Sequence, residues 1–193
     1  GFKEERTAGV VQEVFDEAGL SYESGLAITG VKAVLRGKRP GPTVALMGEL
    51  DALQVPGHPR ADRQTQAAHA CGHNAQIAGL MGAALGLTSS GIAEELAGNV
   101  IFLAVPAEEY VEIGYRLGLV RGGKTSFLCG KQELINLGHF DDIDMAVMIH
   151  TKSPGDEGGT HGVGLSSNGF LAKTVVFHGR AAHAGVAPEQ GIN

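Results

Sequence analysis

Apolar positions change period along the first half of the chain, and the changes separate helix from strand. Over Lys3 to Gly19, Val10, Val11, Val14 and Phe15 share one helical face. Glu4, Glu5 and Glu13 fall elsewhere, and Gly19 suits a C-cap. Val31 to Leu35 and Thr43 to Leu50 read as strands, with Gly37 to Pro42 as the turn between them. His58 to Ala68 is a polar loop, and Ala75 to Leu87, rich in alanine and leucine, reads as a helix. Asn99 to Val105 and Met145 to Ile149 are short and almost wholly apolar, which suits central strands covered on both faces. These elements predict an α/β fold with a central, mostly parallel sheet flanked by helices.

Further along, Lys131 to Leu137 predicts a short helix inside a long connection, Tyr110 to Phe140. A Gly-rich turn region follows at Pro154 to Thr160, and Gly169 to Phe177 begins a strand of different character. The expected division is a main domain over 1–164 and the start of a second over 165–193, with the boundary near Leu165.

Composition narrows the classes. The chain has 193 residues, 43% of them hydrophobic, enough to bury one sizeable core. A net charge of −6 with no basic stripe argues against nucleic acid as a partner. No apolar run approaches the roughly 20 residues that span a bilayer, so no membrane partner is expected. Two cysteines, Cys71 and Cys129, are too few for a disulfide framework and suit a reducing, cytoplasmic compartment. The chain opens at Gly1 directly into a helical pattern and stops at Asn193 just after a strand and turn. Both ends read as cut, and a fragment is expected.

Candidate chemistry collects where apolar strands end. Thr43 to Leu50 runs into Asp51, Asn99 to Val105 runs through Pro106 and Ala107 into Glu108-Glu109, and Met145 to Ile149 runs into His150. Ligands in open α/β sheets gather beyond the carboxyl ends of strands, so these residues can meet. His69-Ala70-Cys71-Gly72-His73 precedes the helix from Ala75. Thiolate, imidazole and carboxylate are the donors that zinc prefers. Singly, each residue has a structural reading: Asp51 as a helix cap, His150 as a core histidine, Cys71 as a small buried apolar residue. Adjacent Glu108 and Glu109 resist one, because like charges side by side repel unless a cation is shared. One carboxylate could then coordinate while its neighbour acts as general base.

In order along the chain stand Gly48-Glu49-Leu50-Asp51-Ala52-Leu53, His69-Ala70-Cys71-Gly72-His73-Asn74, Pro106-Ala107-Glu108-Glu109 and His150. Gly179-Arg180-Ala181-Ala182-His183-Ala184 follows, with Pro188 and Gly191-Ile192-Asn193 after it. This series resembles the amidohydrolase family of aminoacylase, carboxypeptidase G, hippurate hydrolase, p-aminobenzoyl-glutamate hydrolase and the plant auxin-conjugate hydrolases. The resemblance implies Cys71, His73, Glu109 and His150 as metal ligands and Glu108 as the general base toward a metal-activated water. Asp51 would orient a ligand histidine. It also implies two zinc ions per full-length subunit, with manganese or cobalt as alternatives, and a small amide such as an N-acyl amino acid as substrate.

A ferredoxin-like lid inserted in the catalytic domain would carry a homodimer contact, and Gly169 to Asn193 looks like its start. His183 resembles the lid histidine that polarises the scissile carbonyl. Two departures stand out. Asn74 replaces the aspartate that often follows the H-A-C-G-H string, as in the p-aminobenzoyl-glutamate hydrolase-like branch. One further ligand histidine is expected beyond Asn193. Two rival readings are a cysteine amidase with Cys71 as nucleophile and a metal-binding or interaction module without turnover.

Overall fold

The structure, a computed structural model, describes residues 1–152, 162–163, 169, 173 and 175–192. The chain divides into two compact units, Gly1–Ser153 and Pro154–Asn193. The first holds helix α1 (Glu5–Glu17), strands β1 (Tyr22–Leu26), β2 (Gly30–Arg36) and β3 (Arg39–Glu49), and a small β4 (Leu53–Gln54) and β5 (Ala67–Ala68) pair. Then come α2 (His73–Ser89), β6 (Ala97–Val105), α3 (Ile113–Arg121), α4 (Gly130–Asn136) and β7 (Met145–Met148).

Five strands form one sheet in the order β1-β2-β6-β3-β7. Its centre is parallel, β3 pairing with β6 on one side and β7 on the other, while β1 and β2 add antiparallel pairings. Helices cover both faces of this mixed α/β sheet. On one face Ala8, Val11 and Phe15 of α1 and Ile77, Leu80 and Ala84 of α2 pack with Val31, Ala33, Phe102 and Ala104. On the other, Leu134 of α4 packs with Ala45, Ile101, Leu103 and Val105. Alternation along β6 sends Phe102 and Ala104 to one layer and Ile101 and Leu103 to the other, as the two-residue period of a strand requires. Full burial of a side chain such as Phe15 or Phe102 contributes about 1.5–3 kcal/mol.

Several expectations shift. The buried stripe of α1 is Ala8, Val11 and Phe15, whereas Val10, one residue and about 100° away, is exposed. Glu4, expected on the polar side, is buried, its carboxylate accepting hydrogen bonds from the Phe2, Lys3 and Ala107 amides and the Thr29 hydroxyl. The turn expected over 37–42 is shorter, because β3 already pairs Arg39 with Ala97 and resumes at Thr43 after an irregularity. Ala67–Ala68, at the end of the expected loop, pairs with Leu53–Gln54. Met145–Met148 is exposed and lies at the sheet edge, not in a covered centre. No described strand pairs its outer side. The long connection contains a helix, α3, that apolar spacing did not reveal.

In the second unit, Gly169, Lys173 and Val175–Phe177 carry no strand ladder, and the remaining residues expected in that strand lie outside the described residues. An isolated antiparallel bridge joins Arg180 and Ile192. The boundary expected near Leu165 also lies outside the described residues. Among the described residues no helix is long and apolar enough to cross a membrane.

Candidate metal centre

The parallel strands β3, β6 and β7 deliver Asp51, Glu108-Glu109 and His150 to one end of the sheet, and α2 begins there. Gly72 precedes α2 in the left-handed conformation, φ 100°, and any Cβ on it would collide with the Thr151 side chain. Thr151 in turn donates to the Cys71 carbonyl at 3.2 Å. This close approach brings Cys71 and His150 together, with Sγ 3.6 Å from Nε2.

His73, the first residue of α2, is buried at 1% exposure. Its Nδ1 lies 2.9 Å from the Asp51 carbonyl oxygen and 3.3 Å from Asp51 Oδ1. These contacts fix the ring and leave Nε2 facing the acidic cluster. Nε2 is 2.9 Å from Glu49 Oε2, 3.8 Å from Glu108 Oε2 and 3.9 Å from Glu109 Oε1, yet no well-aligned hydrogen bond completes it. One ligand atom each from Cys71, His73 and His150 lies within 4.8 Å of the others, and so does a second set from Glu49, His73 and Glu108. A buried imidazole nitrogen without an aligned partner, beside a thiol, a second imidazole and several carboxylates, fits a divalent metal ion of the zinc type.

The electrostatics agree with that fit. Burial alone would lower the basicity of His73, but its contacts with Asp51 and Glu49 outweigh it and raise the pKa to about 10. Burial, with the charges of Glu109, Glu108 and Glu49, pushes the Cys71 thiol up to about 12. Burial opposes ionisation of Glu49, yet His73 and Lys131 hold its carboxyl at about 2. Burial and the Glu49 charge raise Glu108 above the usual carboxylate range. Protons on His73 and Cys71 partly offset a negative cluster that a cation would otherwise neutralise.

Of the sequence candidates, the first unit brings Asp51, Cys71, His73, Glu108, Glu109 and His150 into one region. His183 belongs to the second unit, where it is exposed and its Nδ1 accepts the Gly185 amide at 3.1 Å. Three participants carried no assigned role in the sequence. Glu49 stands two residues before Asp51 on β3, a spacing that could have marked both. Gln76, one helical turn after His73, accepts the Glu49 amide at 3.0 Å. Lys131 pairs with Glu49 and reaches within 3.9 Å of Glu108 from the connection, and no local pattern signals it.

Fold and donor set together define an α/β protein built around a candidate metal centre. Its family follows from the sequence: residues 45–189 match the peptidase family M20/M25/M40, and the chain belongs to that family. It is similar to thermostable carboxypeptidase 1 of Saccharolobus solfataricus, 28% identical over 100% of this chain and 46% of the carboxypeptidase. It is also similar to the N-acetyl-L-cysteine deacetylase of Bacillus subtilis, 31% identical over 99% of this chain and 42% of the deacetylase. Among solved structures, the Bacillus subtilis YXEP protein, a dinuclear metal-binding peptidase of the M20 family, matches with a TM-score of 0.62. That match is 25% identical over 79% of this chain and 38% of that one. The chain thus spans less than half the length of these relatives.

Proposed function

We propose that this chain supplies the metal-binding half of a hydrolase that cleaves the amide bond of N-acyl amino acids or related small amides. The observation that carries the reading is the convergence of Cys71, His73 and His150 within 4.8 Å, with Glu108 and Glu109 beside them at the strand ends. Cys71, His73, Glu109 and His150 would hold the metal, two zinc ions per full-length subunit being the expected complement and manganese or cobalt the alternatives. When bound, such an ion supplies an acidified water and a polarised carbonyl.

The chain's own residues do the rest. Asp51 fixes the His73 ring through Nδ1, the arrangement that sets the tautomer of a ligand histidine. Glu108, with its pKa raised toward the working range, takes a proton from the attacking water and gives it to the leaving amine nitrogen. His183 would stabilise the developing oxyanion from the lid, and the lid would also carry a homodimer contact. Two free thiols suit a reducing, cytoplasmic setting. The cysteine-nucleophile alternative finds no support, because burial and the carboxylates of Glu109, Glu108 and Glu49 push the thiol up to about 12, opposite to the shift that activates such a group.

Paired substitutions in the complete protein test the roles. Glu108→Gln is expected to keep the metal and lose at least ~10²-fold in turnover, while Glu109→Gln lowers metal occupancy. Equal metal content in the two variants would reject the division of labour.

A further inference from the structure

The turn that carries Glu108 and Glu109 is strained, and two buried charged residues hold it. Ala107 has φ 51°, a left-handed conformation that a residue with a Cβ adopts only when its surroundings enforce it. Its amide donates to Glu4 Oε1 at 3.1 Å. Its carbonyl accepts from Arg116 Nη1 at 3.0 Å and from the Gly130 amide at 3.2 Å. Two residues on, the Glu109 amide donates to Asp51 Oδ2 at 2.9 Å. The two peptide groups flanking Ala107 are therefore each held by a buried charged side chain.

Neither Glu4 nor Arg116 is placed as surface charge usually is. Arg116 is fully buried, with no carboxylate within salt-bridge distance among the described residues. It spends Nη1 on the Ala107 and Leu128 carbonyls while Nε and Nη2 stay unpaired. A buried guanidinium kept without an ion-pair partner is costly, and two carbonyl contacts are what it makes in return. The Phe2 ring lies 5.5 Å from its guanidinium carbon. The connection approaches closely enough that a Cβ on Gly130 would collide with the Pro106 carbonyl oxygen. Lys3 and Glu112 tie the same two segments together at 2.7 Å.

We infer that the connection after Glu109 and the segment before α1 form a clamp, with Arg116 and Glu4 as positioning residues. Their task is to hold Ala107 in its left-handed conformation, so that Glu108 and Glu109 point where the reaction needs them. The inference rests on the roles proposed above for those two carboxylates. Arg116 touches neither reacting atoms nor ligands, and it acts only through the backbone of Ala107.

The test uses the complete, metal-loaded protein and a restoring substitution. Arg116→Met is expected to lower kcat and metal affinity by roughly 10-fold or more, the scale seen when groups supporting ligands are removed, with KM little changed. Adding Ala107→Gly, which adopts positive φ without the Cβ clash, is expected to recover about 3-fold or more of both losses. Ala107→Gly made alone is the control: strain relief adds the same gain in either background, so the rescue is specific where the gain in Arg116→Met exceeds the gain in the parent. Unchanged kcat and metal affinity in Arg116→Met with φ at residue 107 still positive, or no recovery of lost activity with Ala107→Gly, overturns the clamp. Should Arg116→Met fail to fold, the isosteric Glu4→Gln is judged by the same readouts, with a smaller fall expected. A crystal structure of the variant separates the two layers of the argument. A φ at residue 107 that stays positive overturns the clamp. A φ that turns negative while kcat and metal affinity stay unchanged supports it and overturns the roles given to Glu108 and Glu109.

Discussion

Metal uptake by the stripped protein should release protons, because two of the proposed donors carry them before the metal arrives. His73 has a pKa of about 10 and Cys71 of about 12, so both are protonated near neutral pH. Coordination requires the neutral imidazole nitrogen and the thiolate, and each must lose its proton. At a pH of about 7.5, deprotonating His73 alone opposes binding by roughly 10²-fold or more. The stoichiometry is less sensitive than this figure, since it needs only that both pKa values lie well above the working pH. About two protons should leave per subunit on metal loading, and apparent affinity of the site that takes both donors should rise by about two log units per pH unit between roughly pH 7 and 9.5. Titration calorimetry with zinc in buffers of different ionisation enthalpy measures the release directly. Release of about one proton or fewer would mean that His73 or Cys71 is not a ligand. Stability should follow the same logic. The His73 pKa is raised from 6.5 to about 10 on folding. Its contribution to the metal-free protein is complete below 6.5 and disappears as pH rises through about 10. Stabilisation by metal should therefore grow across that window.

Mixing His183→Ala subunits with Glu108→Gln subunits should restore about a quarter of wild-type turnover if the lid histidine works across a dimer. Half of randomly mixed dimers are hybrids, each with one intact site of two. Differentially tagged hybrids with no recovery would reject the trans arrangement. Residues 1–193 made alone should hold metal poorly and turn over no N-acyl amino acid, because one expected ligand histidine lies beyond Asn193. Tight stoichiometric metal with clear turnover from that piece would require the ligand set to be redrawn.

Apolar runs made the centre of the fold legible. Within Asn99 to Val105, Ile101 to Val105 is buried on both faces, and only such an apolar run can satisfy a strand between two helical layers. Helix α2 starts two residues before Ala75; Gly72 and His73 supply no Ser, Thr or Asp cap to mark it, and a tertiary contact to Asp51 fixes the first turn instead. Helix α3 was invisible for a related reason. Its one buried residue is Arg116, so no apolar stripe records which face is inside. Glu4 falls off the apolar face of the helical pattern, and no local sign shows that its partners are Thr29 and Ala107. The candidate site divides along the same line. Cys71, His73, Glu108, Glu109 and His150 stand in short motifs at element ends, where spacing carries chemistry. The Glu49–Lys131 pair joins residues 82 positions apart and exists only once the connection has folded back on the sheet.

The claim that metal-dependent amide hydrolysis is the work of this site is tested most directly by turnover before and after complete metal removal. The complete protein would be assayed on a panel of N-acyl amino acids, exhaustively chelated, checked by elemental analysis, and assayed again before and after addition of zinc, manganese or cobalt. The mixed thiolate, imidazole and carboxylate donor set predicts loss of turnover on chelation and its return with added metal. Full turnover from protein verified to contain no metal would contradict the account.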